Sequence, residues 1–313
     1  MHSYSLLAPG KINLYLEIIG DRPDGFHELV MILQSIELAD RIDLKASDRE
    51  NITIYCDNPQ VPTDQTNLAY RAAQLMCDTF PDVYANYGGI DIRITKNLPV
   101  AAGLAGGSAD AAAVLVGVSL IWGLGLTKPE LQELATQLGS DIPFCVAGGT
   151  AIATGRGEKL AAIADLDNLW VVLAKHSDLS VATPWAYKTY RENYSADYIS
   201  DTTAVLQRRD RLRSGSLFKA ITAKNGAEIG SLLYNDLEKV VLPNYERVAR
   251  LKAAFTDTLT LGAMMSGSGP TVFALFNTET EAQTAATQIS DRMNDPNLDF
   301  WVTKLSSSGV QVI

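Results

Sequence analysis

Pro99-Val100-Ala101-Ala102-Gly103-Leu104-Ala105-Gly106-Gly107-Ser108-Ala109 is a stretch with almost no side-chain bulk. Before it, Ile90 to Thr95 alternates apolar and polar residues, as a half-buried strand does. After it, Ala109 to Trp122 is a Pro-free run rich in Ala, Leu and Val that reads as a buried helix. Gly103, Gly106 and Gly107 let the backbone approach a ligand closely and take up positive φ. The first turn of a helix adds unpaired N–H groups and the positive end of a dipole. Strand, glycine loop and helix start together make a phosphate cradle. A plain tight strand-to-helix connection is the alternative that the stretch alone leaves open. No Gly-Lys-Ser/Thr follows, so it is not a Walker A loop, and the Gly-x-Gly-x-x-Gly spacing of a dinucleotide fingerprint is absent.

The rest of the chain gives this loop company. Its 313 residues suggest two domains, with a boundary in the region 158–168. An apolar content of 47% with 20% charged residues describes a soluble globular protein. The net charge of −10 argues against nucleic acid or an anionic membrane surface as partner, but not against an anionic small molecule in a local basic pocket. Cys56, Cys77 and Cys145 are far apart and lack metal-site spacing, so free thiols in a reducing compartment are expected. The start, Met1 to Pro9, has no basic and long apolar signal-peptide pattern, and no apolar run is long enough to span a bilayer.

Residues 3–7 and 12–19 read as strands, and alternation puts Lys11, Asn13, Tyr15 and Glu17 on one face. Lys11 beside Asn13 suits a ligand phosphate or a catalytic carboxylate, or else a solvated edge strand. Asp21 to His27 is turn-rich and presents Phe26 and His27 together, either to hold an aromatic base or with Phe26 packed beneath the loop and His27 solvated. Strands are expected over 29–38, 40–44 and 52–56, the last two divided by a polar turn at 47–51, and a helix over 67–76 capped by Thr66 or Asn67. Thr127 and Glu130 form a capping box for a helix ending at Gly139. Asp141, in an otherwise apolar stretch, is an N-cap or a general base. Residues 148–153 return as a strand, 155–158 turn, and Leu169 to Ala174 is a buried strand that starts the second domain. Thr183 reads as an N-cap with Pro184 after it, and Trp185 and Tyr187 pack in the core or face a cleft, with at least one expected in the core. Residues 195–214, with Arg208, Arg209, Arg211 and Arg213, form a solvated helix or loop. Helices are expected over 217–233, 244–255 and 279–293, a strand–glycine turn–strand over 262–276, and a last strand over 301–305.

Lys11-Ile12-Asn13, the loop from Pro99 to Ala109, and Ser266-Gly267-Ser268-Gly269-Pro270-Thr271, in that order and spacing, resemble the three motifs of the GHMP kinase superfamily. Arg22-Pro23-Asp24-Gly25-Phe26-His27 and Gly139-Ser140-Asp141-Ile142-Pro143-Phe144 are similar to the branch that acts on a cytidine-diphosphate-linked methylerythritol. The resemblance covers essentially the whole chain. It implies a two-domain α/β protein of the α+β type. Residues 1–162 would be a ribosomal-S5-domain-2-like ATP-binding domain and 163–313 a ferredoxin-like domain, with the site between them. It implies ATP-dependent phosphorylation of the 2-hydroxyl of that cytidine diphosphate derivative, on the non-mevalonate route to isoprenoid precursors. Pro99 to Ala109 would wrap the ATP phosphates, Asp141 would accept the hydroxyl proton, and Lys11 would be its cationic partner. Phe26 and Tyr187 would sandwich the cytosine, His27 would bond its edge, and Asn13 and Thr183 would help hold the substrate. Other branches carry Ser-Ser at the positions of Gly106 and Gly107, which leaves Ser108 as the hydroxyl nearest an Mg²⁺ ion. Phe26 stands where many members have Tyr, so stacking survives and a phenol hydrogen bond does not. A monomer or weak homodimer is implied, in a cytoplasm or a plastid stroma.

Three other readings compete. A GHMP kinase for homoserine, mevalonate or a sugar has no use for the Phe26, His27 and Tyr187 set. An inactive protein of the same fold has no use for both Lys11 and Asp141. An RNA-binding protein conflicts with the net charge of −10.

Overall fold

In the computed structural model, β1 (Ser3–Asp21) and β2 (His27–Ser47) run antiparallel along almost their whole length. The structure describes residues 3–47, 49–199 and 201–313, and only the backbone at 202, 205, 206 and 209. Sequence readings that touch Met1, His2, Asp48, Ser200 and the Arg209 side chain lie outside what is described.

β1 is one strand where the sequence suggested two. Register shifts between Pro9 and Lys11, Asn13 and Tyr15, and Ile18 and Gly20 let it bend without breaking. The shift after Asn13 corrects the expected face. Lys11, Asn13 and Leu16 point into the cleft described below, while Tyr15 packs with Ile12 and Leu14 on the other side. Tyr15 and Glu17 bond each other there, and Glu17 pairs with Arg208. The inserted residue flips the side chains that follow it, up to the next shift after Ile18.

β2 is also longer than expected and feeds three neighbours. Leu29–Gln34 pair with β5 (Thr150–Gly155), Ser35 and Ile36 with β11 (Leu298–Ser306), and Arg41–Ser47 with β4 (Gly89–Thr95). β3 (Ile52–Cys56) lies parallel to β4, and β6 (Lys159–Ala162) antiparallel to β5. β8 (Tyr234–Asn235) runs parallel to β1, and β12 (Gln311–Val312) pairs with its start. α1 (Leu68–Thr79), α2 (Pro81–Tyr87), α3 (Gly106–Ile121), α4 (Lys128–Thr136) and α5 (Ile142–Ala147) belong to this half. Asn67 caps α1 by accepting from the Ala69 N–H, and the Thr127–Glu130 capping box is present on α4. α3 is buried nearly all round, between the sheet and α1, α4 and α5, as its composition requires.

β7 (Trp170–His176), β9 (Gly262–Met265) and β10 (Val272–Phe276) join β11 in a four-stranded antiparallel sheet, ordered β11-β7-β10-β9. α11 (Glu246–Thr256) and α12 (Glu279–Met293) cover one face of it through Leu251, Phe255, Ala282 and Ile289. α8 (Ser216–Thr222) and α9 (Gly226–Ser231) cover the other. The single helix expected over 217–233 is broken at Lys224, which has φ +50°. The helix expected over 244–255 is α11, which starts after Tyr245, where the chain leaves the helical geometry of the preceding α10 (Glu238–Asn244). α6 (Thr183–Tyr194) and α7 (Thr202–Ser214) lie on either side of a short 3-10 turn, Ser195–Asp197. β11 bonds both β2 and β7, so one continuous sheet connects the two halves. No described helix is long and apolar enough to cross a membrane. Cys56, Cys77 and Cys145 are free.

Candidate active site

A cleft of about 800 Å³ opens where β1, the start of β2, the glycine loop and the start of α6 meet. Lys11 lies at its centre, on the bend of β1. Its own N–H donates to the Leu104 carbonyl at 3.0 Å, which fixes the strand to the glycine loop. Its Nζ donates to Asn13 Oδ1 at 2.8 Å and stands 3.8 Å from Asp141 Oδ2. Lys11 and Asn13 are buried, so the solvated-edge alternative fails. Asp141 immediately precedes α5 but makes no side-chain cap hydrogen bond. That leaves its half-buried carboxylate directed to Lys11 and the cleft rather than spent on the helix.

The glycine loop reaches the cleft as backbone. α3 begins at Gly106, earlier than the sequence suggested, with Ala105 as N-cap at φ +57° and no side-chain cap. The first-turn amides of Gly106, Gly107 and Ser108, all in the cleft wall, therefore have no side-chain partner. Two loop members differ from expectation. Leu104 is a core side chain, and Ala109 is fully buried with its N–H given to the Ala105 carbonyl at 2.9 Å. The helix has already claimed that amide. Gly103 has φ +75°, and a Cβ there would lie 2.2 Å from the Ser266 carbonyl oxygen. Only glycine fits that approach.

The Ser266–Thr271 turn closes the same wall. Ser266 Oγ donates to the Gly103 carbonyl at 3.0 Å, and Asn235 Nδ2 donates to the Met265 and Gly267 carbonyls, both at 2.8 Å. Thr183 is not the cap that the sequence suggested: Ala182 occupies that position, and Thr183 begins the helix. Its hydroxyl instead lies 2.7 Å from Ser268 Oγ, at the cleft wall.

The aromatic arm comes from β2 and α6. His27 is 7% exposed, its ring centroid lies 5.2 Å from that of Tyr187, and Tyr198 meets its edge. Burial, then the Arg191 cation, hold the imidazole below its ordinary pKa, partly opposed by Asp21. Its Nε2 is buried without a hydrogen-bond partner, although Asp21 lies 3.7 Å away. The neutral ring thus keeps a polar atom unsatisfied beside the cleft. Phe26 is half exposed at the rim, and Arg156 lies 4.8 Å above its ring. Burial pushes the half-buried Tyr187 phenol up, so it stays neutral. Trp185 turns away to meet Tyr245, which divides the Trp185–Tyr187 pair between core and cleft.

Sequence reasoning missed the opposite arm. Beyond Gly107, whose built Cβ would lie 3.9 Å from Leu68, the wall continues through Val61, Pro62 and Asn67. The two prolines at 59 and 62 just before a helix cap were the available signal. Lys96 was missed too. It is buried between Asp40 and Asp110, 3.0 Å from the latter, while Asp40 Oδ1 accepts the N–H groups of Asn97 and Leu98 at 2.7 and 2.8 Å. Burial pushes the Asp110 carboxyl above its ordinary range, against the pull of Lys96. This cluster ties the end of β4 to the first turns of α3. Among the described residues, no group of three or more His, Cys, Asp or Glu is placed to hold a metal.

The family profile described as GHMP kinases N terminal domain matches residues 67–149, and that described as GHMP kinases C terminal matches 217–295. A protein of Gloeothece citriformis named 4-diphosphocytidyl-2-C-methyl-D-erythritol kinase is 60% identical over 100% of this chain and 99% of its own length. One of Trichodesmium erythraeum with the same name is 55% identical, with the same coverage. A crystal structure of 4-(cytidine 5'-diphospho)-2C-methyl-D-erythritol kinase aligns with a TM-score of 0.74 at 28% identity, over 96% of this chain and 99% of that one. A homoserine kinase from Cytophaga hutchinsonii shares the fold, with a TM-score of 0.75 at 20% identity over 100% and 98% of the two chains.

Proposed function

We propose a division of labour along the cleft of a chain that belongs to the GHMP kinases and, within them, to the 4-diphosphocytidyl-2-C-methyl-D-erythritol kinases. The protein is an ATP-dependent small-molecule kinase that phosphorylates the 2-hydroxyl of 4-diphosphocytidyl-2-C-methyl-D-erythritol, on the non-mevalonate route to isoprenoid precursors. The single observation that carries the residue roles is the position of Lys11, between Asn13 and Asp141 at the open start of α3.

Phosphoryl transfer demands positioning and charge stabilisation more than covalent chemistry. The free amides of Gly106, Gly107 and Ser108 hold ATP phosphate oxygens, helped by the α3 dipole. Val61, Pro62 and Leu68 make the apolar slot for the nucleobase of ATP. Asp141 accepts the proton of the attacking hydroxyl. Lys11 stabilises charge on the group in flight, and Asn13 holds the Lys11 ammonium in place. Cytosine enters between Phe26 and Tyr187, with His27 Nε2 at its edge and Thr183 beside the methylerythritol. Mg²⁺ suits this wall as a companion of ATP rather than a resident ion. Such an ion needs few protein oxygens when phosphates supply the others, and the Ser108 hydroxyl is the one that the loop offers. When bound it neutralises phosphate charge. The domain division is 1–162 and 163–313. It is supported by a profile match on each side and by the change from the β5–β6 hairpin to the β7 sheet.

Coupled ADP release, comparing the cytidine-linked acceptor with homoserine and mevalonate, tests this reading. Turnover with the cytidine compound alone supports it. Turnover with another acceptor overturns the aromatic-arm assignment while leaving the kinase intact.

A further inference from the structure

Four cations stand near the aromatic arm: Arg156, Lys188 and Arg191 line the cleft, and Arg22 gives its backbone N–H to the Phe26 carbonyl. Three have carboxylate partners. Arg22 pairs with Asp24 at 3.0 Å and Glu28 at 2.7 Å, Arg191 with Asp21 at 2.7 Å, and the exposed Lys188 approaches Glu192 at 3.8 Å. The half-buried Arg156 guanidinium has no ion pair among the described residues. Its own turn does not supply one, because Glu158 is drawn back to accept the Arg156 backbone N–H at 2.7 Å.

The scaffold brings this free guanidinium to the base-binding loop. Gly155 pairs with Leu29, two residues beyond His27, and its N–H donates to Glu28 Oε1 at 3.2 Å. From there Arg156 reaches over Phe26, 4.8 Å from its ring centroid. Such a stack fixes the plane of the guanidinium and leaves its edge N–H groups free to bond an anion. Asp24 feels the Arg156 charge but bonds Arg22 instead, so the Arg156 guanidinium closes no ion pair and its edge stays open to an anion. The acceptor assigned above joins its base to two phosphates, and a guanidinium matches phosphate oxygens two at a time.

We infer that Arg156 grips the diphosphate of the acceptor and so selects a nucleoside diphosphate derivative over a bare nucleoside. This inference rests on the acceptor assignment of the preceding section. The Gly155–Glu158 turn, which sequence reading gave no task, then forms part of the specificity machinery.

The test compares the inhibition constants of cytidine and cytidine diphosphate against the acceptor at saturating ATP, in wild type, Arg156→Gln and Arg156→Lys. In wild type, cytidine diphosphate should inhibit about ten- to hundredfold more tightly than cytidine, the usual scale for charge-assisted bonds. Arg156→Gln should bring the two constants together by weakening cytidine diphosphate alone. Arg156→Lys, which keeps charge without the fork, should recover part of the gap, and KM for ATP should not move. Equal weakening of both inhibitors would reduce Arg156 to a prop for Phe26 and overturn the inference, as would an unchanged gap. Failure of the acceptor assignment shows separately, as a wild-type enzyme that does not turn over the cytidine-linked acceptor, and it takes this inference with it.

Discussion

At the α3 end the cleft presents backbone; at the α6 end it presents side chains. The glycine loop offers amides from a helix with no side-chain cap. Its tolerances are set by what a Cβ would strike, as at Gly103 against the Ser266 carbonyl. The aromatic arm offers His27, Tyr187 and Phe26 from separate elements, each oriented by its neighbours. A backbone site recognises phosphate, which ATP shares with every other nucleotide. A side-chain site recognises one base. The contrast explains how one fold serves several acceptors: the homoserine kinase shares the framework at 20% identity. Lys11 and Asp141 stand 3.8 Å apart at the junction, where the proposed roles put the reacting hydroxyl.

The largest expected effect lies at that junction. Asp141→Asn should lower kcat about 10²–10⁴-fold, the usual contribution of a positioned base, with ATP binding retained by titration. Unchanged turnover would remove Asp141 from the chemistry. Next comes Gly103→Ala, which should break the backbone end: a methyl group at φ +75° facing the Ser266 carbonyl displaces the loop. A displacement of that kind costs about 10² in kcat/KM. KM for ATP should rise while binding of cytidine diphosphate stays near wild type, and the reverse pattern would erase the contrast between the two ends. The smallest effect sharpens it. His27 is held neutral by burial, so the unfolded chain takes up this proton first as pH falls below about 6.5. Stability should therefore decline with acidification below that value, because the unfolded state binds more protons there. His27→Gln should make the slope shallower, leaving the part due to His176, which burial also holds low. Urea unfolding at about pH 7.5 and about pH 5.5 is the check, and an unchanged slope would mean that His27 is not held neutral.

The two ends were not equally legible. The glycine loop was readable because its function lies in missing side chains at fixed spacing, which a sequence displays directly. The fold framework was readable where caps and periodicity agree, as at Thr127–Glu130 and over Glu279–Met293. It failed where one residue departs without a residue-type signal. The β1 bulge after Asn13 sends Tyr15 and Glu17 to the wrong face, and Lys224 takes a left-handed turn that its side chain does not announce. The Asp40–Lys96–Asp110 cluster joins three ionisable side chains far apart in the chain, each of which alone reads as surface. Phe26, His27 and Tyr187 came together through the family resemblance, since nothing local ties residue 27 to residue 187. Arg156 stayed invisible for the opposite reason: it closes no ion pair among the described residues, and only the fold shows that.

The most direct test of the divided cleft is the pair of KM values for Tyr187→Ala. Stacking on an aromatic side chain contributes about 1–3 kcal/mol per base, so KM for the cytidine-linked acceptor should rise about tenfold or more. KM for ATP should stay where it is. If instead both rise together, or ATP alone is affected, the aromatic arm does not belong to the acceptor and the division of the cleft is wrong.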